Sequence, residues 1–178
     1  MPISAAWRST RTYLLAAALT LAAACGPADA ALPATAAAAR PALDPEERAL
    51  RAQINAYRAA RGRRPLRVSA PLTRAANWLS RDMAAKDYFD HVDSRGRNFD
   101  RRIAAFGFRG PSTGENLAAG APDAAATFAI LKASASHRRT MLHARLRVIG
   151  IGRAYGAGSM LGWYWTTTFG AAAGRAHT

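Results

Sequence analysis

Two apolar segments near the end of the chain, RVIGIGRAY (Arg147–Tyr155) and MLGWYWTTTFG (Met160–Gly170), limit the fold more than any other feature. Their β-branched and aromatic content, and the glycine-rich GAGS between them, predict an antiparallel hairpin. Leu161, Trp163, Trp165, Thr167 and Phe169 then share one face, where large aromatics belong to a core more readily than to a sugar- or lipid-stacking surface. A strand with one wet face alternates apolar with polar residues, whereas these carry apolar residues at nearly every position, so helices must cover both faces. The predicted fold is α+β, a single-domain α-β-α sandwich around a small antiparallel sheet. A chain of 178 residues supports one such domain, and it shows no internal repeat.

Helical signals supply the outer layers. DPEERALRAQINAYRAARG has Asp44 as N-cap, Pro45 at the first helical position, Glu47 completing a capping box and Gly62 as the stop. A second helix is predicted from Pro71 to Lys86, with Leu72, Ala75, Ala76, Leu79 and Met83 on one stripe. DYFDHVDSRGRNFDRRIAAFGF follows as a long loop and a short helix around Asp100–Ala105. After the glycine-flanked segment GENLAAG, Pro122 and Asp123 open a helix through Lys132, and SASHRRTMLHAR a shorter one from Ser134 or Ser136. The domain is expected over residues 43–170, with a frayed tail over 171–178.

The start of the chain addresses the compartment. Arg8 and Arg11 precede the apolar run Tyr13–Ala24, too short for a mature membrane span but suited to a signal-peptide core. Residues 1–24 are expected to be a signal peptide of the lipoprotein type, with Cys25 as the lipidated residue; cleavage before Ala31, after the Ala28–Ala30 motif, is the alternative and gives a secreted or periplasmic form. Residues 25–42, rich in alanine and proline, read as a tether. Cys25 is the only cysteine, which excludes an intramolecular disulfide and leaves the exported domain to its core and any bound metal.

The formal net charge of +14 invites an acidic partner. All but two of the 25 basic residues are arginine, however, and alanine dominates the apolar set, the mark of a compositional bias. No aromatic-interleaved basic motif accompanies the charge, so no specific nucleic-acid partner is expected.

Among the acids, Glu115 in TGENLAAG stands out, because a carboxylate inside a packed domain costs several kcal/mol unless charge or hydrogen bonds compensate it. Of the four histidines, His177 lies in the tail and His143 sits near a helix end, where it suits terminal carbonyls better than a ligand. His91 follows the aromatic pair Tyr88 and Phe89; His137 falls in the first turn of a serine-capped helix, which favours neutral imidazole. His91, His137 and Glu115 together could ligate a cation such as zinc with an open fourth position, or form a hydrogen-bonded polar pocket; the absence of a local signature such as HExxH leaves both open. Asn116 fits a side-chain amide that ties a loop at GENLAAG to backbone groups, and Ser134 and Ser136 fit helix caps better than nucleophiles. DHVDSRG lacks the ligand spacing of an EF-hand.

These segments, in this order, resemble the CAP superfamily (SCP domains; cysteine-rich secretory proteins, antigen 5 and pathogenesis-related proteins), in a bacterial exported form. INAYRAARGRRPL looks like the opening helix, YFDHVDSRGRNFDRR like the loop with the first cleft histidine, GENLAAG like the GEN signature, SASHRR like the serine-x-x-histidine segment, and RVIGIG with YWTTTFG like the closing strands. The resemblance implies a cleft in which His91, Glu115 and His137 take three of four places, with Asn116 beside them and Ser134 where many relatives carry a second glutamate. One carboxylate fewer weakens cation binding and undercuts a two-carboxylate mechanism. Some members bind divalent metals through the histidines, so His91 and His137 are the expected zinc donors if a cation binds. The expected function is an exported cell-envelope module that binds a lipid, sterol-like or wall-polymer ligand. The alternative is a metal-assisted hydrolase, peptidase or wall-active, with Glu115 as ligand or general base; a structural or adhesive partner is a third class.

Overall fold

The computed structural model describes residues 42–111 and 113–171. The expected signal peptide, Cys25, nearly all of the tether and all of the tail except Ala171 lie outside the described residues. Helix α1 spans Pro45–Ala59, strand β1 Arg67–Val68, α2 Ala70–Lys86, α3 Phe99–Ala105, β2 Thr113–Ala119, α4 Ala124–Ala133, α5 Ala135–Leu142, β3 Val148–Tyr155 and β4 Trp163–Gly170. The four strands form one sheet in the order β1-β3-β4-β2. The hairpin is present: β3 pairs antiparallel with β4, and β4 with β2, while β1 adds a two-residue parallel edge beside β3. The sheet is therefore mixed.

GENLAAG departs from the sequence reading. Read as glycine-flanked loop, it is most of an edge strand, paired with β4 from Thr113↔Gly170 to Ala119↔Tyr164. Glycine and alanine carry little β-propensity, and the strand forms because burial and the ladder with β4 override it. Leu161 also differs: it lies in the turn, 37% exposed, rather than on the strand face with Trp163. Ala171, expected in the tail, is buried.

Both sheet faces are covered. Trp165 and Phe169 of β4, with Ile149 and Ile151 of β3, join Leu50 and Ile54 of α1, Leu131 of α4 and Met141 of α5 in one cluster. On the opposite face α2 packs Leu79 and Met83 against Leu117 and Tyr164, and Leu72 and Ala75 against Ile103. Burying each large side chain contributes about 1.5–3 kcal/mol. Gly150 and Gly152 of β3 let α2 settle onto the sheet, since a Cβ there would lie 2.1 Å from Leu72 C and 2.3 Å from Asn77 N. At this contact Ser80 Oγ is 2.9 Å from both the Gly152 carbonyl and Thr166 Oγ1.

Two buried polar groups tie α1 to its neighbours. Arg58, fully buried on α1, donates to the carbonyls of Arg64, Met141, His143 and Leu146, so it caps the end of α5 in the role expected of the His143 side chain. Glu47 completes the capping box with Asp44 and also accepts the Arg153 amide of β3 at 3.1 Å. Burial pushes its pKa up to about 7 from 4.5, against the backbone amides that favour the carboxylate. Between those values the folded chain holds a proton that the unfolded chain releases, so stability present at the acid end is lost as pH rises through the window. The expected loss is up to about 3 kcal/mol, and Glu47→Gln should flatten the slope in urea unfolding compared at about pH 5 and about pH 7.5.

Candidate functional site

Glu115 sits on β2 opposite Thr168, on the sheet face that α2 covers. Its side chain is wholly buried, with Oε2 2.5 Å from Arg102 Nη2 and Oε1 2.9 Å from His91 Nδ1. The sequence reading expected two imidazole partners, His91 and His137; the structure supplies one imidazole and a guanidinium. Arg102 reaches the carboxylate because Asn98 caps α3, accepting from the Arg101 amide at 3.0 Å, and the helix turns Arg102 and Ile103 inward. Its Nη1 also donates to the His91 carbonyl at 3.0 Å, so one side chain holds both the carboxylate and the loop that carries the histidine. The ionised carboxylate only accepts, so His91 Nδ1 carries the hydrogen and Nε2 keeps the lone pair when the ring is neutral.

The loop itself is built on two buried aspartates. Asp93 Oδ1 accepts the amides of Arg95 and Arg97, each at 2.9 Å, and Oδ2 accepts Arg97 Nε at 2.8 Å. Asp82 of α2 accepts from Lys86, Tyr88 and both the amide and hydroxyl of Ser94. Burial opposes its charge, but these donors outweigh it and hold its pKa well below the ordinary carboxylate range.

His137 occupies the first turn of α5 as expected. Ser134 Oγ caps the helix by accepting the His137 amide at 3.4 Å, and is 2.9 Å from Ser136 Oγ. Asn116 Nδ2 donates to the His137 carbonyl at 3.1 Å, the side-chain tie expected of it, although from a strand and not a loop. Burial, and secondarily the neighbouring His91, push the His137 pKa down, so the ring is neutral at pH 7. Its buried Nδ1 has no hydrogen-bond partner among the described residues.

A pocket of about 410 Å3 opens on this arrangement, lined by His91, Phe99, Gly114, Glu115 and Thr140, and a groove of about 170 Å3 continues it past Gly114 and Thr140 to Arg139 and His143. Of the residues singled out from sequence, His91 and Glu115 line the pocket. Asn116, His137 and Ser134 form a supporting ladder that ties β2 to α5. Arg102, Phe99 and Thr140 had not been singled out. Among the described residues no three His, Cys, Asp or Glu side chains come together to hold a metal ion, and both oxygens of Glu115 are engaged. Glu115 therefore offers no unengaged carboxylate oxygen to a cation among the described residues.

A family model described as the cysteine-rich secretory protein family, CAP, matches residues 51–169. The chain belongs to that family. This CAP domain is 33% identical over 99 residues to YkwD of Bacillus subtilis, a match covering 55% of this chain and 38% of that protein. Its fold is shared with an extracellular SCP-domain protein of Bacillus anthracis (TM-score 0.62, 21% identity, 74% of this chain and 45% of the other). It is shared too with an outer surface protein of Borrelia burgdorferi (TM-score 0.64, 19% identity, 72% and 96%). The chain thus spans less than half of the first two relatives. These structural neighbours are extracellular or outer-surface proteins, and no helix among the described residues is long and apolar enough to cross a membrane.

Proposed function

We propose that this CAP domain is an exported cell-envelope module that binds a lipid, sterol-like or wall-polymer ligand in the pocket at His91 and Glu115. The observation that carries the reading is the double engagement of Glu115: a carboxylate gripped by a buried guanidinium on one oxygen and by an imidazole on the other is a poor general base, and a well-ordered wall. The pocket volume, about 410 Å3, falls within the range of small-molecule sites. Export is supported by the N-terminal apolar run and the character of the structural neighbours, and anchoring through a lipid on Cys25 is the form we favour. Cys25→Ser should shift the protein from membrane to soluble fractions; an unchanged distribution refutes the anchor.

A metal-assisted hydrolase is the second reading, favoured by one observation: His137 is held neutral beside His91 with an unpartnered ring nitrogen. A divalent cation such as zinc would take nitrogen donors from these two residues and supply Lewis-acid chemistry. Calorimetric titration with zinc of the wild type and of the His91→Ala, His137→Ala double variant separates the readings. No binding by either removes the metal-dependent hydrolase. Turnover of a peptide or peptidoglycan panel that vanishes in Glu115→Gln overturns the binding module. The expected result is no turnover, with retention of envelope lipid or wall fragments by the wild type and a loss of roughly tenfold or more in Glu115→Gln.

A further inference from the structure

A groove larger than the His91–Glu115 pocket lies elsewhere, on the outer side of α2. It measures about 570 Å3 and shares no lining residue with the His91–Glu115 pocket. Trp78 and Phe106 form its apolar wall, both half-buried, with ring centroids 6.5 Å apart and planes at 48°. The rest of its lining is Asn77, the carboxylate of Asp82 and four basic side chains. Arg74, Arg81 and Arg95 line it, and among the described residues none of the three is ion-paired with a carboxylate. Lys86, by contrast, is neutralised by Asp82 at 2.8 Å.

The guanidiniums are placed against the aromatic wall. Arg95 lies 5.2 Å from the Trp78 ring centroid, and Arg74 donates to the Phe106 carbonyl at 3.0 Å. Arg97, on the same indole at 4.8 Å, is ion-paired with buried Asp93 and is not among the residues lining the groove. Guanidinium groups present forked donors that match carboxylate, sulfonate or phosphate oxygens, while the half-buried indole and phenyl rings offer apolar surface to a flat body. A groove of this volume takes a small molecule rather than a polymer strand.

We propose that this groove is a second ligand site, for a small anion carrying a flat aromatic or polycyclic body. It stands independently of the reading given to the His91–Glu115 pocket. Anilinonaphthalene sulfonate is a suitable probe, and phenylnaphthylamine, which has the same ring body without the sulfonate, is its uncharged control. Fluorescence titration of the folded domain should show one saturable site for the sulfonate, bound at least about tenfold more tightly than the control.

Arg81→Glu with Arg95→Glu should weaken the sulfonate about tenfold or more and leave the control unchanged. Trp78→Ala should weaken both; should that variant fail to fold by circular dichroism, Trp78→Leu supplies the same comparison. The His91→Ala, His137→Ala double variant should leave both titrations unchanged. Equal affinity for sulfonate and control, insensitivity to the arginine reversals, or loss of binding in the histidine variant would each overturn the proposal.

Discussion

Arg102→Met is expected to lower the unfolding free energy by about 3–5 kcal/mol, because it leaves the Glu115 carboxylate buried without its counter-charge. The guanidinium and the carboxylate are both wholly buried, and Arg102 is also the donor to the His91 carbonyl, so the loop should loosen along with the pair. Urea unfolding measures the first effect and amide hydrogen exchange around His91 the second. Adding Glu115→Leu to Arg102→Met should recover a large part of the loss, since an apolar pair avoids the desolvation that an orphaned charge suffers. A single variant within about 1 kcal/mol of wild type would show that solvent reaches Glu115 and would remove the ion pair as the pocket's organiser.

Gly152→Ala should be comparably severe for a steric reason. The added Cβ would lie 2.3 Å from Asn77 N and 2.5 Å from Ala76 C, atoms of a helix backbone that cannot swing aside as a side chain would. Helix α2 would have to lift, parting Ser80 from the Gly152 carbonyl and from Thr166. The expected cost is about 3 kcal/mol or more, at the upper end of overpacking effects. Gly158→Ala, where a Cβ meets nothing within 4 Å, should stay within about 0.5 kcal/mol and serves as the control in the same urea series. Equal stability of the two variants would mean that α2 does not rest on β3 as described.

The elements readable in advance were those whose signal is local. The capping box at Asp44 and Glu47, the α2 stripe and the β3–β4 hairpin each declare themselves within a few residues, and each formed close to its expected bounds. The resemblance to CAP domains put His91 and Glu115 in one cleft, and their side chains meet at 2.9 Å. Arg102 was hidden because arginine supplies nearly every positive charge in this chain, so one buried guanidinium has no compositional contrast. The demand that Glu115 find compensation could have pointed to it, thirteen positions upstream on a helix of about two turns, had a cation been sought as well as an imidazole. Asp82 and Asp93 escaped for a related reason: their partners are mostly amides and hydroxyls of the loop, and such bonds become visible only with the backbone path. Strand β2 was missed because its residues are poor strand formers, and only a neighbour supplies the reason to extend.

His91 is fastened on the side of the sheet that carries α2 and α3, through Arg102, whereas His137 is fastened on the side that carries α5, through Asn116, and β2 runs as the edge strand between them. The two imidazoles are thus the jaws of a caliper whose opening reports how far apart the helical layers stand. A molecule gripped by both jaws would act as a rivet through the sandwich, raising its resistance to unfolding. A force that pries the layers apart would release the molecule before the core itself gave way.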